Sequence, residues 1–164
     1  MIVTTSRRPS AKSRNLCKEL QGVIPLSCYI LRGKKGIREL LSLSVEKGAD
    51  RTLIVTSKGN EVDSILFYSE WKYLGELSIS AALRRELNLP KVLPLHEDVP
   101  FLLQSSEREA DTVAYLFGAE MYDNDDAYTF MTYTKGWIDF YRLDISEQVV
   151  GPRIKVNHIH ENHH

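Results

Sequence analysis

The chain has 164 residues, of which 43% are apolar and 26% are charged, and its formal net charge is −1. This composition is typical of a globular protein and excludes fibrous and intrinsically disordered chains. No apolar run approaches the roughly 18 residues that cross a bilayer, and the first residues lack the charged-then-apolar order of a signal peptide. We therefore expect a cytoplasmic protein with no membrane partner, built as one domain or two small ones.

The near-zero net charge conceals a strong asymmetry along the chain. Residues 1–60 carry 12 Lys and Arg against 4 Asp and Glu, whereas the remaining residues carry 9 against 18. A basic segment in an otherwise acidic chain favours a surface that binds a polyanion, and nucleic acid is the first candidate. The search for a binding site therefore begins in the first half.

Strand and helix patterns alternate in this first half. Ser10 is a favourable N-cap for a helix that places Leu16, Cys17 and Leu20 on one apolar face. Cys17 is therefore expected to be a buried apolar residue rather than a disulfide partner. The pattern predicts, in chain order, a strand over 2–5, a helix capped by Ser10 and closed by Gly22 and Pro25, a strand over 27–31, a helix that ends at Gly48, and strands over 51–57 and 61–68 around the turn Lys58-Gly59-Asn60.

The second half predicts a similar order of elements. These are a strand over 73–79, a helix capped by Ser80 and containing Ala82, Leu83 and Leu87, a strand over 99–104, a helix capped by Ser105 or Ser106 and ending near Gly118, and a hairpin of strands over 127–134 and 137–144. Ser10-Ala11 matches Ser80-Ala81 at the first cap, and Lys58-Gly59 matches Lys135-Gly136 at the hairpin. Internal duplication is the simplest explanation.

These patterns predict an α/β fold. Alternating strands and helices imply right-handed crossovers and a largely parallel sheet with one antiparallel edge. The two similar halves are expected to be 1–70 and 73–150, each a small mixed sheet with helices. A polar, His-rich tail follows over 157–164.

Three turns of the first half carry basic residues. Parallel strands bring their following turns to the carboxyl edge of a sheet, where open α/β sheets bind ligands. Two helices also begin there, and their N–H groups attract phosphate. We therefore predict an RNA-phosphate site formed by Arg7, Arg8, Arg32, Lys34, Lys35 and Lys58. Arg14 and Lys18, on the polar face of the first helix, are further candidates.

The alternative is that these cations are ordinary solvated turn residues. The matching turn of the second half, over 105–109, carries two acids and one base. An α/β turn at this place therefore tolerates acids, which favours a functional reason for the basic residues of the first half.

Other patterns of site chemistry are weak. The turn Gly33-Lys34-Lys35-Gly36 lacks the spacing of a phosphate-binding loop, and the segment 123–126 lacks the spaced ligands of a calcium loop. No Ser or Cys stands at a catalytic spacing from a His, and His96 is interpreted as structural. The terminal histidines could bind a transition metal, although a frayed tail or part of a purification tag fits their polar surroundings better; they are His158, His160, His163 and His164. We predict no catalytic residue, no metal and no cofactor.

Three segments resemble those of a known family. They are 4–10 (Thr-Thr-Ser-Arg-Arg-Pro-Ser), the basic turn and helix over 32–40 with the following strand over 48–55, and 150–154 (Val-Gly-Pro-Arg-Ile). Together they resemble the Brix domain family of ribosome-biogenesis proteins, and the compact length is similar to that of the archaeal members. The resemblance implies a single Brix-like domain over 1–164, with halves like the anticodon-binding domain of class IIa aminoacyl-tRNA synthetases.

The family resemblance also implies a function, and it supports four of the candidate RNA-binding residues. Its matched basic positions are Arg7, Arg8, Arg32 and Arg153, whereas the lysines of the predicted site rest on geometry alone. We expect a non-enzymatic RNA-binding factor in ribosome biogenesis that binds rRNA or pre-rRNA through the first half. Ribosomal or other assembly proteins would contact the acidic second half.

Two other functions fit the same basic edge. One is a tRNA- or anticodon-binding module, since the implied fold serves both roles. The other is a small α/β enzyme that acts on a phosphorylated metabolite, and thermal shifts with sugar phosphates or nucleotides but not with RNA would favour it.

Overall fold

The computed structural model describes residues 1–122 and 127–163. Its helices are α1 (Ala11–Leu20), α2 (Ile37–Glu46) and α3 (Ala110–Phe117). The strands up to the middle of the chain are β1 (Ile2–Thr5), β2 (Cys28–Tyr29), β3 (Thr52–Lys58), β4 (Glu61–Ser69) and β5 (Lys72–Ala82). The later strands are β6 (Leu102–Gln104), β7 (Glu120–Met121), β8 (Thr129–Thr134), β9 (Trp137–Arg142) and β10 (Arg153–Glu161). No helix of these residues has the apolar length that crossing a membrane requires.

The start of α1 follows from its sequence. Ser10 has extended backbone angles, and its hydroxyl accepts a hydrogen bond from the Ser13 N–H at 3.0 Å. This bond satisfies one of the free N–H groups of the first turn. Leu16, Cys17 and Leu20 are fully buried, as the apolar spacing predicts. The predicted burial of Cys17 is confirmed, and burial raises the pKa of its thiol.

The ten strands of the described residues form one sheet in the order β2-β1-β3-β4-β5-β10-β9-β8-β6-β7. β1 is parallel to β2 and β3, β6 is parallel to β7 and β8, and the other neighbouring pairs are antiparallel. The predicted mixed α/β architecture is confirmed, but the largely parallel sheet is wrong. The β4–β5 and β5–β10 pairs add antiparallel strands that the prediction lacked. A turn as short as Glu70-Trp71 can join only antiparallel strands, since a parallel pair needs a long crossover.

The strands fall into a first run, β1–β5, and a second run, β6–β10, with the same spatial order. In each run the second strand lies outermost, followed by the first, third, fourth and fifth strands. β5 and β10 pair over residues 75–82 and 153–161, and this antiparallel seam joins the predicted two small sheets into one. The internal duplication and the likeness to the anticodon-binding domain stay predictions.

The helix predicted after Ser80 is wrong. β5 continues through Ser80 to Ala82, because its main chain pairs with Arg153 and Lys155 of β10 and stays extended. Pairing between distant strands therefore overrides the local cap signal. The division predicted between residues 70 and 73 falls inside the β4–β5 hairpin, so β5 completes the first run instead of opening the second.

Some predicted boundaries also differ. β2 is shorter than the predicted strand over 27–31, and β6 is shorter than the one over 99–104. Neither Ser105 nor Ser106 is the N-cap of α3, which is Glu109. The Ser105 hydroxyl instead donates to the Tyr133 carbonyl of β8.

The frayed tail predicted over 157–164 is wrong where the structure describes it. β10 runs to Glu161, and His158 and His160 pair with Ser78 and Glu76 of β5. The Asn162 N–H continues the pairing with a 2.9 Å bond to the Leu74 carbonyl. The polar composition of this segment suits a strand whose outward side chains are exposed. His164 and the predicted solvated connection over 123–126 lie outside the described residues.

Helices cover the two faces of the sheet unequally. α1 and α3 pack on one face, which we call the inner face, over a core shared by both runs. This core includes Leu16, Phe67, Phe117 and Phe140. α2 packs on the opposite outer face, where Leu40 clusters with Ile2 and Ile54 of β1 and β3. No helix of the described residues covers the outer face of β8–β10.

Arg84, which follows β5, ties α1 to the second run. Its side chain is buried, and the guanidinium donates to the carbonyl oxygens of Glu19, Val150 and Gly151 at 3.0, 2.9 and 2.9 Å. Its main-chain N–H also donates to the Glu19 carboxylate at 2.8 Å. Burial lowers the pKa of Arg84, but a guanidinium stays charged at neutral pH. A buried charge with several fixed acceptors holds these segments together.

We expect Arg84→Met to lower the free energy of unfolding by about 3 kcal/mol, because it leaves buried carbonyl groups without donors. Urea denaturation of the purified chain measures this change. Arg85→Met is the matched control, since Arg85 is the exposed neighbour, and its effect should stay within about 0.5 kcal/mol. Equal stability of the two variants would contradict the role assigned to Arg84.

Removal of residues 157–164 should also destabilise the fold. The deletion removes half of β10 together with the partly buried Ile159, and we expect a loss on the order of 2–4 kcal/mol. Removal of only His163 and His164 is the control and should leave the melting temperature unchanged. A longer deletion that melts with the parent protein would show that this part of the seam adds no stability.

Candidate nucleic-acid interface

The first basic turn follows β1. Arg7 and Arg8 are exposed, and the positive φ of Arg8, 54°, turns the chain from β1 towards α1. The Arg7 guanidinium donates to the carbonyl oxygen of Lys34 at 3.2 Å. This bond links the first basic turn to the second, although 27 residues separate them along the sequence.

Arg32 holds the second turn against the end of β1. Its Nε donates to the Lys35 carbonyl at 2.8 Å, and its Nη1 donates to the Thr5 carbonyl at 3.0 Å. Only 7% of Arg32 is exposed. Burial first, and then the adjacent charge of Arg7, lowers the pKa of Arg32. Arg32 is buried because its side chain has acceptors at the end of β1 and in the turn after β2.

α2 begins directly beside these guanidinium groups. Its N-cap is Gly36, which has extended backbone angles and offers no side-chain acceptor to the first turn of the helix. A Cβ atom at Gly36 would lie 3.5 Å from Nη2 of Arg7, so the guanidinium lies against the helix N-terminus. Both groups present positive charge, and an anion between them would interact favourably with each.

An open cavity of about 500 Å³ contains this arrangement on the outer face. It is lined by Ser6, Arg7, Arg32, Gly36, Ile37, Ile54, Thr56 and Leu66. The ion pairs of the described residues involve Lys12, Arg51, Arg142 and Arg153 as cations. The two guanidinium groups of the cavity therefore lack a carboxylate partner there, which leaves their charge available to an external anion.

The other cations predicted in the three turns do not line this cavity; they are Arg8, Lys34, Lys35 and Lys58. Lys34 and Lys58 are exposed, and Nζ of Lys35 donates to the Leu31 carbonyl at 3.3 Å. The hairpin after β3 is fastened to the start of α1, because the Ser57 hydroxyl accepts from the Ser10 N–H at 3.0 Å. All three basic turns thus lie at the carboxyl edge of β1, β2 and β3, as their parallel order requires.

Arg14 and Lys18 lie on the exposed side of α1. Arg14 remains close to the first turn, and its Nη1 donates to the Pro9 carbonyl at 3.3 Å. Lys18 instead lines a second cavity of about 680 Å³ together with Arg85 and Lys91. The first helix therefore extends the basic surface without lining the cavity of Arg7 and Arg32.

Arg153 belongs to a different cluster, which the basic turns do not contact. It begins β10, and its Nε and Nη2 donate to the Asp139 carboxylate at 2.6 and 3.1 Å. Its guanidinium carbon also lies 4.4 Å from the ring centroid of Trp137. The hydrogen bond to Asp139 raises the pKa of Arg153. Sequence reasoning missed Asp139 and Trp137; their alternation with Ile138 marks an outward side of β9, but only the strand register pairs them with Arg153.

No protein-family model matches the chain. Curated relatives, however, match over nearly its whole length. A "Probable Brix domain-containing ribosomal biogenesis protein" of Pyrococcus furiosus is 32% identical, and the match covers 95% of this chain and 82% of the relative. The chain belongs to the Brix domain family. The protein of the same description from Thermococcus kodakarensis is 31% identical, with 95% and 88% of the two chains covered.

Two crystal structures share the fold of this Brix domain. A probable ribosomal biogenesis protein from Aeropyrum pernix superimposes with a TM-score of 0.81 at 21% identity, and the match covers 98% of both chains. Mil, an archaeal Imp4-like protein, superimposes with a TM-score of 0.73 at 17% identity, and the match covers 99% of this chain and 100% of Mil. The Brix architecture therefore persists at low sequence identity.

We expect Arg32→Ala to lower the free energy of unfolding by about 2–4 kcal/mol, because two hydrogen bonds from a charged donor are lost. Thermal and urea denaturation measure the effect. Lys34→Ala removes an exposed cation from the same turn and should change stability by less than about 0.5 kcal/mol. If both variants unfold like the parent, Arg32 does not hold the two turns together.

Proposed function

We propose that this Brix domain chain is a non-enzymatic RNA-binding factor in ribosome biogenesis, which binds phosphate groups of rRNA or pre-rRNA at the carboxyl edge of the first run. The phosphate site, as we name it, comprises Arg7, Arg32, Lys34, Lys35 and the α2 N-terminus at Gly36. Arg8, Arg14, Lys18 and Lys58 extend it.

One observation carries the proposal. Two guanidinium groups and an uncapped helix N-terminus face the same open cavity, with no ion-paired carboxylate among the described residues. Cations beside a helix N-terminus are unfavourable for the helix itself, so a bound anion supplies the balance. The curated relatives are named as ribosomal biogenesis proteins, and rRNA is the polyanion present in that process.

The cations of the phosphate site have two different roles. Arg32 is held by main-chain carbonyls and positions the turns, whereas Arg7 and Lys34 present exposed charge. Such contacts set the position of RNA on the protein without reading its bases. Binding through this site should therefore respond strongly to salt and weakly to sequence.

We also infer that the two runs arose by duplication and that acidic surface of the second run contacts a basic assembly protein. The shared strand order supports the first point. The excess of Asp and Glu after residue 60 supports the second. Duplication explains why the two runs share one strand order but differ in surface charge, since the side chains of each copy can change independently after the duplication.

The double substitution Arg7→Ala with Lys34→Ala should weaken binding of an rRNA fragment about tenfold and flatten its log–log salt dependence. Removal of two phosphate contacts changes the slope by about 1.4 on single strands, at roughly 0.7 per contact. Fluorescence anisotropy over a series of salt concentrations measures both quantities. Arg32 is left intact so that the fold is preserved.

Lys47→Ala with Lys72→Ala is the control with a similar loss of charge. Lys47 follows α2 and Lys72 begins β5, so both lie at the opposite edge of the sheet, and this variant should bind like the parent. Crosslinking in cells with sequencing of the bound RNA then tests the ribosomal role. The proposal is supported if rRNA crosslinks to the parent protein but not to the Arg7→Ala, Lys34→Ala variant. Recovery of tRNA alone would favour the anticodon-binding alternative.

A further inference from the structure

A row of small hydroxyl side chains crosses the outer face from the phosphate site. Thr56 of β3 lines the cavity and pairs with Ser64 of β4, which pairs with Ser78 of β5. The Thr56 and Ser64 hydroxyls are 2.6 Å apart. Alternation places these residues on the face opposite the inner core, where Thr56 and Ser78 are half-buried and Ser64 between them is buried.

At the seam Ser78 pairs with His158, and a cluster of cations against Trp137 is reached through Ser80, two residues further along the same face of β5. Ser80 of β5 pairs with Lys155 of β10, which pairs with Trp137 of β9. Nζ of Lys155 lies 5.3 Å from the Trp137 ring centroid, and the Arg153 guanidinium lies 4.4 Å from it. A half-buried indole with two cations against it offers an unpaired base both stacking and charge.

A second aromatic pair lies next to this cluster. Phe130 of β8 and Tyr141 of β9 face each other across the strands, with ring centroids 4.9 Å apart and an angle of 14° between the rings. Both residues are only half-buried. No helix of the described residues covers them, although α2 covers the corresponding face in the first run.

The charge of this face differs from that of the second run as a whole. Glu76 of β5 and Asp139 of β9 lie on this face, and Asp139 is already bound to Arg153. The cations of the phosphate site and of β10 stand at either side of the hydroxyl row. A polyanion that lies along the row therefore has positive charge at both ends.

We propose that the outer face of β3, β4, β5, β10 and β9 is a track for single-stranded RNA, which leads from the phosphate site to a stacking site at Trp137, Arg153 and Lys155. The phosphate-site end rests on the proposed function, whereas the stacking site stands on its own geometry. Stacking on aromatic and guanidinium planes requires bases that are not already stacked in a duplex. The ligand class is thus a single-stranded segment of RNA.

Trp137 provides a direct optical test, since the chain has 2 tryptophans. In the variant Trp71→Phe, Trp137 is the only tryptophan and its contacts with Arg153 and Lys155 are unchanged. Titration with an oligouridylate of about 12 nucleotides, a length within the site sizes of single-strand-binding folds, should quench its fluorescence. A duplex RNA of equal length should not. The matched control is Trp137→Phe, which leaves Trp71 exposed in the β4–β5 turn, and its fluorescence should not respond.

Two substitutions measure the energetic share of the stacking site. Trp137→Leu should weaken oligouridylate binding about tenfold, and Lys155→Ala should flatten the salt slope by about 0.7. Trp71→Leu is the control for loss of an aromatic side chain and should bind like the parent. Melting temperatures check the fold of each variant, and the quenching experiment keeps the proposal testable if Trp137→Leu is unstable.

The outcomes separate the track from the phosphate site. If the Arg7 and Lys34 variant loses RNA binding but Trp137 is not quenched and Lys155→Ala binds normally, the track is overturned and the phosphate site stands. If Trp137 responds while the Arg7 and Lys34 variant binds normally, the stacking site is supported and the phosphate site fails. Quenching by a basic protein but not by single-stranded RNA would overturn the track.

Discussion

The buried guanidinium of Arg84 decides how the two strand runs are placed. It donates to main-chain carbonyls at the end of α1 and in the segment before β10, so an element of each run is bound to one cation. Arg142 adds a second tie, since its Nη1 donates to the carbonyls of Gly22 and Leu93 at 3.1 and 3.3 Å. A buried charge that loses its acceptors costs several kcal/mol. Arg84 and Arg142 therefore stabilise the connector between the runs, the end of α1 and the start of β10 against one another.

The seam between β5 and β10 depends on this placement, and the outer face depends on the seam. Once the two strands pair, the floor of the phosphate site and the aromatic cluster on β8–β10 belong to one continuous sheet surface. Neither run alone holds both features. The acidic composition of the second run is no guide to this surface, because strand alternation gathers Arg153, Lys155 and Trp137 on one side, where the carboxylate of Asp139 is bound to Arg153.

The site itself combines a rigid and an exposed component. Arg32 is largely withdrawn from solvent and bonded to Thr5 and Lys35, and its burial lowers its pKa without removing its charge. The exposed Arg7 then has a fixed place beside Gly36. On binding an anion, an arrangement of this kind would lose little side-chain freedom in its buried part, and such pre-organisation favours affinity.

The local sequence determined those features that depend only on residues close together in the chain. Ser10 caps α1, Leu16 and Leu20 form its buried face, and the basic turns follow β1 and β2 because strands and their turns are read from consecutive residues. The segments that resemble the Brix domain family were also recognisable, because each is a run of consecutive residues. Tertiary structure alone decided the rest: Ser80 lies in a strand because β10 pairs with it, and the His-rich segment is ordered because β5 offers it partners. The same holds for Arg32, whose acceptor Thr5 is 27 residues away, and for Arg153 with Asp139 and Trp137. These contacts join residues far apart in sequence, and the register that brings them together is set by the packing of the whole sheet.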